Sequence, residues 1–96
     1  MMLSKYRNLG NVLLGALPDD VSQKWLAKKT FVSPEAVHYW LAGKNRPAPG
    51  RLGSIAALLG LEPGQLAELA EYDTNPDAWE KMQDAYETSV SHVSIS

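Results

Sequence analysis

Residues 21–43 run VSQKWLAKKTFVSPEAVHYWLAG, and how this stretch divides decides the fold. Its second half starts and stops like a short helix. Ser33 is a capping residue, Pro34 suits the first helical position because its missing N–H costs nothing there, and Gly43 is a stop. At helical spacing, Val37, Trp40 and Leu41 fall on one side, and Glu35, His38, Tyr39 and Ala42 on the other. In the first half, Val21, Trp25-Leu26 and Lys29 recur at helical spacing, which predicts a helix over about Val21–Thr30 capped by Asp19 or Asp20.

The two helices would be joined by the short turn TFVS, residues 30–33. Leu26, Ala27, Val32, Val37, Trp40 and Leu41 supply an apolar interior, with Ala27 small where the helices must cross. Lys24, Lys28 and Lys29 surround the entry. This is a helix-turn-helix pattern, in which the second helix lies in the DNA major groove and the first crosses the backbone.

Working outward, Tyr6, Leu9, Leu13 and Leu17 predict an amphipathic first helix from about Leu3 to Leu17, stopped by Pro18. KNRPAPG, residues 44–50, is a loop. A fourth helix over Pro49–Leu59 is expected to bury Leu52, Ile55, Ala56 and Leu59 and to end at Gly60. LEPGQLAELAEY, residues 61–72, restarts as a fifth that buries Leu66 and Leu69. Asn75-Pro76 opens a sixth, with Trp79, Met82, Tyr86 and Val90 on one stripe, and the serine-rich SVSHVSIS (89–96) is expected to be a flexible tail. The expected architecture is all-α: a five-helix bundle over residues 1–72 and an acidic C-terminal helical extension over 73–96.

With 96 residues, 45% hydrophobic and 21% charged, the chain is expected to form one modest core. It has no cysteine, which excludes disulfides and thiolate metal sites. His38 and His92 lie far apart without partner ligands, so neither a metal nor another cofactor is expected. No nucleophile–base set points to an enzyme; Glu35 and His38 read as a surface pair. Lys5 and Arg7 precede an apolar run, but Asn11 interrupts it and no small-residue cleavage site follows, which argues against a signal peptide. No stretch is long enough to span a membrane, and a cytoplasmic location is expected.

The net charge of −2 conceals an asymmetry. Residues 1–51 carry eight Lys/Arg against Asp19, Asp20 and Glu35, a net +5, whereas residues 52–96 carry Lys81 against eight acids, a net −7. Such a division fits either a surface that faces a polyanion or two solvated faces of a near-neutral bundle.

Over residues 21–69 the chain resembles the Cro and lambda-repressor-like helix-turn-helix regulators, the XRE family. The places that carry the resemblance are Ser22-Gln23, Leu26-Ala27, Val32-Ser33, Val37, Trp40-Leu41, Gly43, Pro47, Leu52, Ile55-Ala56, Leu59-Gly60-Leu61 and Leu66, in ungapped register. The resemblance implies a lambda-repressor-like fold and a DNA-binding transcriptional regulator, a dimer on a palindromic operator in double-stranded DNA. Two residues depart from the pattern. Phe31 stands where the family places a glycine, which predicts either an altered turn or a ring that plugs the core edge. Pro34 stands where many members place a base-reading glutamine, and Pro34 has no donor for that contact.

The resemblance implies Ser33, Glu35, His38 and Tyr39 as the base-reading set. Glu35 could accept from a cytosine amino group or serve only the helix dipole. His38 could donate to a guanine or a phosphate, or be an ordinary surface residue. Tyr39 could reach a phosphate or a thymine methyl, or cover the core edge. The resemblance implies Gln23 and the loop residues Lys44, Asn45 and Arg46 as phosphate contacts, to which Lys24 and Lys28 could add Coulombic ones. Such contacts position the domain without reading sequence, and the alternative is a solvated loop.

The stripe Trp79, Met82, Tyr86 and Val90 leaves three readings open. It packs back on the bundle, forms a homodimer seam, or docks another protein such as a toxin, an antirepressor or polymerase. An alternative to DNA reading is therefore a protein-interaction module, an antitoxin or antirepressor acting through its acidic half.

Overall fold

The computed structural model describes residues 5–18 and 23–95, for 92–95 the backbone alone. Those residues form six helices and no strand, so the chain is all-α. They are α1 (Arg7–Ala16), α2 (Gln23–Thr30), α3 (Pro34–Ala42), α4 (Pro49–Leu59), α5 (Pro63–Leu69) and α6 (Pro76–Ile95). The expected helix start at Leu3, the Asp19 or Asp20 cap, Val21 and Ser22 lie outside the described residues, as does the side chain of His92.

Local capping chemistry sets about half of the helix ends. At α3, Ser33 Oγ accepts the Ala36 N–H at 3.2 Å, with Pro34 in the first turn. At α6, Asn75 Oδ1 accepts the N–H groups of Asp77 and Ala78 at 3.1 and 3.2 Å. Each satisfies donors that the helix itself leaves unpaired.

Four helices end alike, on a residue with left-handed backbone. These are Phe31 (φ 59°) after α2, Gly43 (77°) after α3, Gly60 (70°) after α4 and Glu71 (63°) after α5. In each case the next N–H returns to a carbonyl five residues back: Val32 to Ala27 at 3.0 Å, Lys44 to Tyr39 at 3.0 Å, Leu61 to Ala56 at 2.8 Å and Tyr72 to Ala67 at 2.7 Å. These bonds satisfy the last carbonyls and turn the chain sharply. Glycine reaches this conformation freely; a side chain there is strained.

Contacts divide the chain into two compact units between Arg46 and Pro47. In the first unit, α1 and α2 each pack on α3. Leu9, Leu13, Leu26, Val37, Trp40 and Leu41 form its core, and among the described residues Thr30 is a buried polar one. The Thr30 hydroxyl donates to the Leu26 carbonyl at 2.7 Å, which removes the cost of burying it. The α1–α3 crossing is close: a Cβ at Gly10 would lie 2.5 Å from the Leu41 carbonyl oxygen and 2.8 Å from that of Trp40.

In the second unit α4 packs along α6, and α5 packs on both. Leu52, Ile55, Leu66 and Met82 are fully buried. Gly53 lets the two longest helices meet, since a Cβ there would collide with the Met82 carbonyl. The Tyr72 hydroxyl donates to the Pro47 carbonyl at 2.7 Å and fastens the end of α5 to the entry of α4. Helices α4, α5 and α6 thus share one core.

Three expectations need correction. Leu59 and Leu69 are half-buried, each in the final turn of its helix. Met82 is not available to a seam, because it is a core residue of the second unit. Helix α6 continues to Ile95, through the segment expected to be a flexible tail. Once α6 is nucleated by its Asn75 cap and packed on α4, each added residue gains a backbone hydrogen bond without a new nucleation cost.

Candidate nucleic-acid interface

Helix α3 is fixed to its neighbours by Val37, Trp40 and Leu41, all buried. The same periodicity turns Glu35, His38, Tyr39 and Ala42 outward, and all four are exposed. Ser33 and Pro34 at the start of the helix are exposed as well. The Ser33 hydroxyl accepts from Ala36, so its role in the fold is that of a cap. Glu35 lies in the first turn, where a carboxylate complements the helix dipole.

Tyr39 is 38% exposed, and two neighbours hold its ring. The His38 ring is centred 6.0 Å away, tilted by 57°. The Lys44 ammonium lies 5.8 Å from the Tyr39 ring centre. A cation over an aromatic face is attracted by the ring quadrupole, by about 0.5–1 kcal/mol at exposed sites. His38, Tyr39 and Lys44 therefore form one contiguous surface.

Of the expected phosphate contacts, Gln23, Lys24 and Lys28 are exposed on α2, and Lys44 and Asn45 on the loop after α3. Arg46 is half-buried, with its guanidinium 5.3 Å from the Tyr6 ring centre. Lys5 approaches the same ring, its ammonium at 5.6 Å. The Tyr6 N–H donates to the Gly43 carbonyl at 3.0 Å, joining the start of α1 to the end of α3. A Cβ at Gly43 would lie 2.6 Å from Arg7 Cα, so the two segments are in close contact. Lys5, Arg7, Lys44 and Arg46 thus gather around Tyr6 and Gly43. Sequence reasoning missed Lys5, Tyr6 and Arg7; the signal was an aromatic between two cations.

The division between units keeps the charge asymmetry, slightly reduced because Arg51 falls in the acidic unit. Residues 1–46 hold seven Lys/Arg against three acids, a net +4, and residues 47–96 hold Arg51 and Lys81 against eight acids, a net −6. On α6, Trp79 and Tyr86 are half-buried and Val90 is 37% exposed, so these three, without Met82, remain at the surface. An open groove of about 510 Å³ lies between α4 and α6, lined by Gly50, Ser54, Lys81, Asp84, Thr88 and Ser89. It lies open to solvent rather than enclosed, unlike a typical small-molecule site. Among the described residues, no group of three or more His, Asp or Glu side chains could hold a metal ion, and no helix is long and apolar enough to cross a membrane.

Phe31 is not the core plug that its place in the turn suggested. It is 85% exposed and holds its left-handed backbone as a strained phenylalanine.

Comparison of the chain with protein-family models, with curated protein sequences and with solved structures gave no match.

Proposed function

We propose that the chain is a sequence-specific DNA-binding regulator that places α3 in the major groove, with α2, the turn and α3 acting as a helix-turn-helix. One observation carries this reading. A short helix, locked by three buried residues, presents Glu35, His38 and Tyr39 outward in a unit of net charge +4, with exposed lysines on the elements before and after it. The fixed helix supplies geometry, the polar face supplies donors and acceptors for base edges, and the cations supply phosphate affinity.

In this reading His38 donates to a base acceptor or a phosphate, and Glu35 accepts from a cytosine amino group. Tyr39, braced by Lys44, contacts a phosphate or a thymine methyl. Gln23, Lys24, Lys28, Lys44, Asn45 and Arg46 set the register on the backbone. Two copies on a palindromic site would double the readout. Transcriptional control and a cytoplasmic location follow from the same reading.

The test is selection of a binding site from random duplexes, followed by affinity measurements over a range of salt. A DNA reader shows a preferred site and a steep loss of affinity with salt, since each phosphate contact releases counterions. Arg46→Ala should weaken binding to all duplexes alike, whereas His38→Ala should cost about 1–3 kcal/mol, mainly on the selected site. If no duplex is preferred over random DNA at low salt, the proposal fails.

The net −6 of residues 47–96 favours a second reading, a protein-interaction module of antitoxin or antirepressor type that acts through its acidic face. It predicts a stoichiometric complex with a basic protein partner and no preferred duplex.

A further inference from the structure

We propose that Phe31 is an apolar DNA contact, its ring covering either a thymine methyl or a deoxyribose face beside the start of α3. The inference rests on the reading of α3 as the recognition helix and adds a contact outside that helix's outward face.

Three observations carry it. First, the Phe31 backbone is left-handed, at φ 59°, which costs a residue with a Cβ and costs glycine nothing. Second, the ring is 85% exposed, more than Leu14, Tyr39 or Val90, so its own fold gains almost no burial from it. The fold would therefore be served better by a glycine or an asparagine, and the ring works against the stability of its own turn. Strain of this kind concentrates at ligand clamps and other functional positions. Third, Phe31 sits two residues before the Ser33 cap of α3 and directly after α2, whose last turn carries the exposed Lys28 and Lys29. An exposed apolar ring that follows two exposed lysines, just before the start of the proposed reading helix, matches the chemistry of a duplex, whose charged phosphates border apolar sugar faces and thymine methyls. Phenylalanine is among the side chains that contact the thymine methyl in the major groove.

Pro34 gives this contact a purpose. Where a glutamine would offer two hydrogen-bonding groups at the first helical position, Pro34 offers none. A thymine-methyl contact from the adjacent turn would supply discrimination that Pro34 cannot.

The experiment uses the full chain and the duplex that wild-type protein selects from random DNA. A second duplex is identical except that deoxyuridine replaces thymine, which removes only the methyl groups. Affinities are measured for wild type, Phe31→Gly and Phe31→Asn over a salt series, with melting temperatures recorded in parallel. Both variants should melt no lower than wild type and bind the thymine duplex about five- to thirtyfold more weakly, with the salt slope unchanged because no phosphate contact is lost. If the contact is a methyl, deoxyuridine weakens wild type more than it weakens the variants. If it is a deoxyribose face, the variants lose equally on both duplexes.

Either variant binding as tightly as wild type overturns the proposal, including the case in which the ring serves a protein partner. A lower salt slope also overturns it, since Phe31 would then act by placing Lys28 or Lys29. A wild-type chain that selects no duplex removes the recognition-helix reading itself, whereas selection with no effect of Phe31 removes only this contact.

Discussion

Phe31 and Gly43 occupy the same left-handed backbone region, yet substitutions at the two should move stability in opposite directions. At Phe31 the side chain is strained and packs on little. Asparagine tolerates the left-handed region without the unfolded-state freedom of glycine, so Phe31→Asn should stabilise the chain by about 0.5–1 kcal/mol in urea melts. At Gly43 a methyl group meets the backbone of Arg7 as well as the strain. Gly60 separates the two terms, because its φ is similar and a Cβ there meets nothing within 4 Å. Gly60→Ala should cost about 1 kcal/mol, the backbone strain alone, and Gly43→Ala about 2–3 kcal/mol, strain plus overpacking. Equal costs would show that the Arg7 backbone gives way to the added methyl group, so that the close approach is not rigid.

Helices α1 and α3 cross at Gly10, and the two glycines of α1 test that crossing. A Cβ at Gly10 would collide with two carbonyls of α3, whereas one at Gly15 would meet nothing within 4 Å. Gly15→Ala should therefore stabilise by about 0.5–1 kcal/mol through helix propensity. Gly10→Ala should destabilise by about 1–3 kcal/mol or more through overpacking, despite the same propensity gain. Thermal melts of the pair decide it. Helix periodicity places Gly10 beside the buried stripe and Gly15 opposite it, but the backbone that Gly10 meets belongs to another helix and is not legible locally. The start of α3 is the opposite case. Ser33, Pro34 and Gly43 announce both ends of that helix in sequence, and Ser33→Ala should cost about 1 kcal/mol from the lost cap.

At the scale of the whole molecule, charge and core divide within a few residues of each other in the chain. The first unit carries the net positive charge and the candidate reading surface; the second is acidic and built on α4, α5 and α6. Because Met82 is fully buried and α6 covers α4, removing residues 75–96 would strip the second unit of core rather than trim an appendage. Met82→Ala should destabilise by about 2–5 kcal/mol. A dimer seam on α6 is better tested at its exposed end. Val90→Asp should convert a dimer to a monomer in sedimentation while leaving the melting temperature near that of wild type. An unchanged oligomeric state would reject the seam.

By itself the sequence determined the all-α class, most helix ends and the outward side of α3. Each of these depends on interactions a few residues long: a cap, a stop, a 3.6-residue period. The tertiary structure alone decided which glycines carry a crossing, that Met82 belongs to a core, that the chain divides after Arg46, and that Phe31 stands exposed. Those outcomes depend on how near a distant backbone comes, and a Cβ too many or a ring too few has no local signature. The gathering of Lys5, Tyr6 and Arg7 with Lys44 and Arg46 has the same origin. It joins residues from opposite ends of the first unit, through one backbone hydrogen bond from Tyr6 to Gly43.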